Sequence, residues 1–272
     1  MKTATTTLIV GGNGKTGRRV AERMRARGLP FRLASRSSAP AFDWNDESTW
    51  ATALEGTRAA YLTYAPDLAV PWAAEHLRRF VQRAVGAGVE NLVLLSGRGE
   101  PQVHPAEEAV RRSGVAFTII EAAFFAQNFS EGLLAPADGE IVFPAGEVAE
   151  PFVDADDIAD VAVAALTEDN HAGKTYELTG PRLLTFDAVA REIAAASGRP
   201  MRYRPVSSVE YAALLAPYMP APEVAFLVEL FAYLTDGHNA HLADGVECAL
   251  GRPPRDFRDF ARAAASAGAW VR

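Results

Sequence analysis

Residues Val10–Gly17 read Val-Gly-Gly-Asn-Gly-Lys-Thr-Gly, between the apolar run Thr6–Val10 and a helical pattern. Gly12, Gly14 and Gly17 satisfy G-x-G-x-x-G, and Gly11, Gly14 and Gly17 also satisfy G-x-x-G-x-x-G. Between a strand and a helix, this spacing forces a tight turn whose backbone a pyrophosphate can approach. The helix N-terminus behind it supplies unpaired N–H groups and a partial positive charge. Gly11, Gly12, Asn13, Gly14, Lys15, Thr16 and Gly17 are therefore the expected phosphate-binding residues. A nucleoside-triphosphatase loop would need a glycine five residues before Gly14, where Ile9 stands.

The alternation around this loop indicates an α/β fold. Strands are expected at Thr6–Val10, Phe31–Ser35, Ala59–Thr63, Asn91–Ser96 and Val115–Ile120. Helices are expected at Gly17–Arg27, Asp46–Leu54, Pro71–Val85 and His104–Ser113. Strand–helix alternation implies a Rossmann-type, doubly wound parallel sheet with helices on both faces. Domain 1–128 is the expected dinucleotide-binding domain. Residues 129–272 are the expected smaller, helix-rich substrate lobe, with one or two strands around 150–180 returning to the main sheet. Gly139–Gly146 reads as turns. Helices are expected at Ala155–Leu166, Thr185–Ala196, Val209–Tyr218, Glu223–Leu234 and Phe257–Ser266.

Composition narrows the function classes. The chain has 272 residues and a formal charge of −7, which argues against general nucleic-acid binding. Its single cysteine, Cys248, excludes a disulfide framework and fits a cytoplasmic protein. No apolar run approaches the roughly 20 residues needed to cross a bilayer. The expected partner is a small-molecule substrate, and the protein a monomer or homodimer. Charge is unevenly spread. Between Asn13 and Phe42, Lys15, Arg18, Arg19, Arg23, Arg25, Arg27, Arg32 and Arg36 face one acid, Glu22.

The second strand selects the dinucleotide. An NAD site usually carries an acid there to bond the ribose 2′-OH. No acid lies between Glu22 and Asp43, and the strand ends Ala34-Ser35-Arg36-Ser37-Ser38. Arg36 can pair a 2′-phosphate, with Ser35 or Ser37 assisting. NADP(H) is expected over NAD(H), with Asp43 and Trp44 flanking the adenine.

Gly11–Gly17, Phe42-Asp43-Trp44, Asn91–Ser96, Phe125-Ala126-Gln127-Asn128-Phe129, Pro151-Phe152-Val153-Asp154 and Tyr176-Glu177-Leu178-Thr179-Gly180 resemble the NmrA-like branch of the atypical short-chain dehydrogenase/reductases. The resemblance covers nearly the whole chain. It implies NADP(H) preference and a substrate cleft between two lobes. It also implies either reductase activity on a quinone, enone, ketone or imine, or redox sensing by a regulator without turnover. A non-redox isomerase or dehydratase role is the third possibility. Relatives with Tyr-x-x-x-Lys use the tyrosine to protonate a carbonyl. Here alignment of the active-site helix puts His104 at the tyrosine and Glu108 at the lysine. An i,i+4 pair shares a helix face, so His104 and Glu108 can meet as a proton-donating pair or simply begin a helix. Relatives also commonly carry Arg-Pro where this chain has Glu121-Ala122.

Other candidates lie at strand ends. Thr63, Tyr64 and Ala65 should line the cofactor, with Tyr64 a possible proton donor. By resemblance to relatives, Ser96 and Gly97 should lie beside the nicotinamide, with Ser96 either a catalytic residue that hydrogen-bonds a carbonyl or a cap of the loop. Phe124 is expected near it too. Trp72, Phe125, Gln127, Asn128 and His238 are expected to contact substrate. His238 and His241 lack helical metal-ligand spacing, so a polar lid is favoured there and no metal site is expected.

Overall fold

The computed structural model describes residues 6–271. Along the chain run β1 (Thr6–Val10), α1 (Lys15–Ala26), β2 (Phe31–Ala34), α2 (Trp50–Leu54), β3 (Thr57–Leu62), α3 (Ala73–Gly86), β4 (Asn91–Gly97), α4 (His104–Arg111) and β5 (Ala116–Ala122). Next come α5 (Asn128–Glu131), β6 (Glu140–Phe143), β7 (Ala149–Glu150), α6 (Ala155–Thr167), β8 (Lys174–Leu178), β9 (Leu184–Thr185), α7 (Phe186–Ser197) and β10 (Arg202–Pro205). The last elements are α8 (Ser208–Leu215), α9 (Ala221–Leu234), α10 (Gly245–Leu250) and α11 (Phe257–Ser266).

These elements form two units. The first comprises the chain up to Ala122, with Ala155–Leu178 and Asp244–Arg252. Among the described residues its sheet has six parallel strands in the order β2-β1-β3-β4-β5-β8. Leu8, Ile9 and Val10 are fully buried, as a strand covered on both faces requires. Both α4 and α6 pack on β4 and β5, and α6 also packs on α1. Sheet order reverses at β1, with β2 on one side and β3 on the other. In an open α/β sheet, ligands bind outside the carboxyl ends of the strands at such a switch point.

Ion pairs knit distant parts of this unit. Arg23 on α1 bonds Asp160 and reaches Asp156 at 2.8 Å. Arg252 bonds the fully buried Asp157 at 2.8 Å and Asp160 at 2.6 Å. A buried charge is tolerable only when paired in this way. Helix α10, which the sequence pattern does not announce, packs on β8 and α6. A Cβ at its first residue, Gly245, would overlap the Glu177 carbonyl, so glycine permits the approach.

The second unit comprises Ala123–Asp154, Thr179–Ala243 and the chain from Pro253. Its core is aromatic. The Phe143 ring lies 5.0 Å from Phe186, 4.9 Å from Phe231 and 5.4 Å from Tyr211. Thr185 caps α7 by accepting from Ala188 N, and Ser207 with Glu210 forms a capping box on α8. The Gly139–Gly146 stretch is not all turn. It contains β6, which pairs in parallel with β10. Ile141 and Phe143 are buried while Glu140 and Val142 are less so, a two-residue period that the flanking glycines conceal. No helix among the described residues is long and apolar enough to cross a membrane.

Phe143 is fully buried, so Phe143→Ala removes a ring from the middle of this cluster. The expected loss is about 3–5 kcal/mol of unfolding free energy. Denaturant titration should show a lower midpoint at unchanged slope.

Candidate cofactor and active site

The glycine loop is held by backbone on backbone. Gly11 N donates to Ala34 O at 2.9 Å and Gly14 N to Gly11 O at 2.8 Å. Gly11 sits at φ 72°, in the left-handed region, and a Cβ there would overlap Thr63 Oγ1. A Cβ at Gly17 would overlap the Gly11 carbonyl. Gly14 begins α1 without a side-chain cap, and no acid lies in the helix's first turn. This cradle and its helix dipole fit a pyrophosphate.

The rim of the loop is polar. Asn13 Nδ2 donates to Ser35 Oγ at 2.9 Å and to Ser37 Oγ at 3.0 Å. This ties the loop to the end of β2. Arg36 lies between those serines, exposed and without an ion pair among the described residues. The donor set fits a second phosphate.

At the end of β3, Thr63 Oγ1 donates to Val10 O at 3.1 Å, locking β3 to β1. Tyr64 Oη and His76 Nδ1 share a hydrogen bond of 2.7 Å. Burial pushes the Tyr64 phenol up to about 12. Ala65 is exposed, and Trp72 is half exposed at 51%. The expected adenine flank is placed differently. Trp44 is 5% exposed, donates Nε1 to Thr63 O at 3.0 Å and packs on Phe42, Trp50, Phe80 and Tyr64. Its ring therefore completes the core. Asp43 shapes the adjoining turn: its Oδ1 accepts from Asn45 N at 2.9 Å and its carbonyl from Trp50 Nε1 at 2.8 Å.

Beside the end of β4 the polar groups are largely ones that sequence reasoning missed. Ser96 Oγ donates to Glu107 Oε1 at 2.6 Å, and both residues are buried. The serine proton is thus directed at the carboxylate. Arg111 donates to Glu107 Oε2 at 3.1 Å and approaches Glu121 at 3.9 Å. Buried Arg98 pairs with Glu177 at 3.1 Å. Burial, with Glu107 and Glu177 adding to it against Arg111 and Arg98, pushes the Glu121 carboxyl up to about 7. Glu100 is 8% exposed, and its Oε2 has no hydrogen-bond partner among the described residues. Burial, reinforced by Asp67 and Glu107, pushes its carboxyl up to about 8. Among the described residues no three His, Cys, Asp or Glu side chains are grouped to hold a metal ion.

His104 and Glu108 do not come together. His104 is exposed, Glu108 pairs with Arg112, and the two form no hydrogen bond or ion pair with each other. The buried face of α4 is Ala106, Glu107 and Val110, next to Val103. Glu107 falls between Val103 and Val110 at helical spacing, and that periodicity in the sequence flags it as the inward acid.

The remaining candidates belong to the second unit. The Phe124 ring lies 6.2 Å from Phe143 and 6.4 Å from Phe231. Phe125 is half-buried and bridges to Val153. Gln127 is buried and donates to Asp154 Oδ1 at 2.6 Å, fixing the chain there. Asn128 is half-buried at the start of α5. His238 is exposed, bonds Asp236 Oδ1 at 2.5 Å and faces the Tyr233 ring at 4.7 Å.

A parallel sheet with this loop at its switch point defines a dinucleotide-binding protein of Rossmann type. No family model matches the chain. It is 32% identical to an NAD(P)H azoreductase of Xenophilus azovorans, over 96% of this chain and 98% of that protein. It is 33% identical to an agroclavine dehydrogenase of Claviceps fusiformis, over 94% of this chain and 96% of that one. Among solved structures, the Citrobacter sp. triphenylmethane reductase complexed with NADP(H) superposes with a TM-score of 0.75 at 20% identity, covering 96% of this chain and 99% of that one. The chain belongs to the NmrA-like atypical short-chain dehydrogenase/reductase family and is an oxidoreductase of that family.

The raised carboxyls couple folding to pH. In the unfolded chain Glu100 ionises near the ordinary 4.5; in the fold it ionises near about 8. Between those values the folded protein holds protons that the unfolded chain has released. Stability therefore falls as pH rises through that window, and Glu121, raised to about 7, adds to the fall. Urea unfolding at both ends of the window should give the higher midpoint at the acidic end, and Glu100→Gln should flatten the difference.

Proposed function

We propose that this protein is an NADPH-dependent reductase of small organic acceptors bearing a polarised C=O, C=C or C=N bond. The observation that carries this reading is the arrangement of Arg36, Ser35 and Ser37 around Asn13 at the rim of the glycine cradle. It offers cationic and hydroxyl donors where an NAD-selective site would carry an acid. The azoreductase and dehydrogenase relatives support a redox role.

When bound, the dinucleotide would supply a hydride from nicotinamide C4. The loop from Gly11 to Gly17, which has no room for a side chain at Gly11 or Gly17, holds the pyrophosphate at the start of α1. Arg36 neutralises the 2′-phosphate. Thr63, Tyr64 and Ala65 wall the carboxyl end of β3, while Ser96 and Gly97 wall that of β4. Trp72 offers an apolar ring to an aromatic acceptor. Tyr64 stays neutral throughout the physiological range, since burial raises its phenol, and His76 orients the hydroxyl.

Arg36→Ala should weaken NADPH binding by roughly 10–100-fold, the worth of about 1.5–3 kcal/mol for a charge-assisted hydrogen bond, and leave NADH unchanged. Calorimetric titration of both nucleotides measures this. Equal weakening of the two would remove the 2′-phosphate assignment. NADPH that binds tightly yet is never oxidised by quinones, enones, ketones or imines would favour a sensor instead.

A further inference from the structure

We propose that the Glu100 carboxyl, folded over the last residue of β4, delivers the proton that a neutral acceptor needs after hydride transfer. The proposal rests on the reductase reading and extends it to the acid that the family's Tyr-x-x-x-Lys would otherwise supply.

Glu100 is placed by backbone. Arg98 N donates to Ala122 O at 3.1 Å, continuing the β4–β5 pairing past Gly97. The chain then turns, and Val103 N donates to Glu100 O at 3.1 Å. The side chain folds back until its carboxyl occupies the space a Cβ at Gly97 would fill. This puts an acid against the strand end that also carries Ser96, at the edge of the sheet where α/β proteins bind ligands.

Its surroundings keep the proton on. Oε2 is sealed from solvent and has no hydrogen-bond partner among the described residues. A carboxylate left there would lack both hydration and a donor, which buried charges tolerate poorly. Asp67 faces it from the loop after β3, and Glu107 faces it from α4. Both are acids. Glu107 is already engaged by Ser96 and Arg111, and Asp67 Oδ1 accepts from Ala69 N at 2.8 Å. Burial also raises the Asp67 carboxyl, so both members of this pair favour the protonated form. The nearby hydroxyls are already engaged: Ser96 donates to Glu107, and Tyr64 shares a hydrogen bond with His76.

Atoms and electrons balance in the step. Hydride from the dihydronicotinamide forms a new bond to the acceptor, and the displaced electron pair collects on its carbonyl oxygen. The Glu100 O–H bond breaks, its proton joins that oxygen, and the bonding pair stays on the carboxylate. NADPH is oxidised, the acceptor is reduced, and Glu100 recovers a proton from water as product leaves. An iminium acceptor is neutralised by hydride alone and requires no such donor.

The test compares a naphthoquinone with an N-alkyl iminium salt as acceptors in single-turnover oxidation of NADPH, using the full chain and Glu100→Gln. The ratio of quinone rate to iminium rate should fall about 100-fold in the variant, within the range for loss of a general acid. The wild-type quinone rate should decline above about pH 8, where Glu100 loses its proton, and the variant should lack that limb. Carbon-13 NMR of glutamate carboxyls in the nucleotide-free wild type gives a readout that needs neither turnover nor a folded variant. One resonance, absent from Glu100→Gln when that variant folds, should titrate near the same pH. An unchanged rate ratio, or a Glu100 resonance titrating in the ordinary glutamate range, would overturn the proposal while leaving the reductase reading intact. A wild type that oxidises NADPH with neither acceptor would remove the reductase reading, and the proposal with it.

Discussion

The contact between Gly17 and the Gly11 carbonyl constrains much of the rest of this chain. A helix can start this close to the strand that feeds it only where neither partner bears a side chain. The approach fixes where α1 leaves β1. It also leaves the first turn of α1 open, with Gly14 at its cap and no acid nearby. Thr63 completes the arrangement by donating to the Val10 carbonyl, which joins the ends of β1 and β3. Asn13 bridges Ser35 and Ser37 with the loop at this height over β2.

The end of β4 obeys a second principle, the cost of burying charge. Five carboxyls, Asp67, Glu100, Glu107, Glu121 and Glu177, gather near two arginines, Arg98 and Arg111. Glu177 is exposed to solvent, whereas at buried Glu100, Oε2 has no hydrogen-bond partner among the described residues, and a proton makes up the difference there. Burial drives three of these carboxyls upward: Asp67, Glu100 to about 8 and Glu121 to about 7. Glu107 accepts hydrogen bonds from Ser96 and Arg111.

The sequence is most legible where one physical demand acts alone. Buried strands show as apolar runs, and the expected strand at Thr6–Val10 coincides with β1. The glycine loop is legible because its steric demand is local. Legibility fails where two demands overlap. Around β6 the turn-forming glycines mask the alternation of Ile141 and Phe143. In α4 the eye goes to His104 and Glu108 as an i,i+4 pair, yet the helix turns Glu107 inward with Val103 and Val110. Glu100 does not show in the spacing at all. Its importance comes from a fold-back onto Gly97, and only Gly97 itself, a glycine closing a strand, hints at the close approach.

The cationic segment between Asn13 and Phe42 is likewise sharpened by its partners. Eight positive residues against one acid suggest a broad field for anions, but the fold engages several of them elsewhere. Arg19 and Arg23 pair with Asp156 and Asp160 on α6. Arg32 donates to the carbonyls of Ala53 at 2.8 Å and Glu55 at 2.6 Å, closing the end of α2. Arg25 lies over the Phe31 ring at 5.4 Å. These charges hold the first unit together and are largely neutralised or satisfied where they stand. The exposed Arg36 sits apart from those pairs, beside the serines that Asn13 gathers. On the proposed reading, a second phosphate would be recognised by this one guanidinium more than by the segment's net charge, because interactions of a few ångströms survive physiological salt whereas a diffuse field is screened beyond about 8 Å.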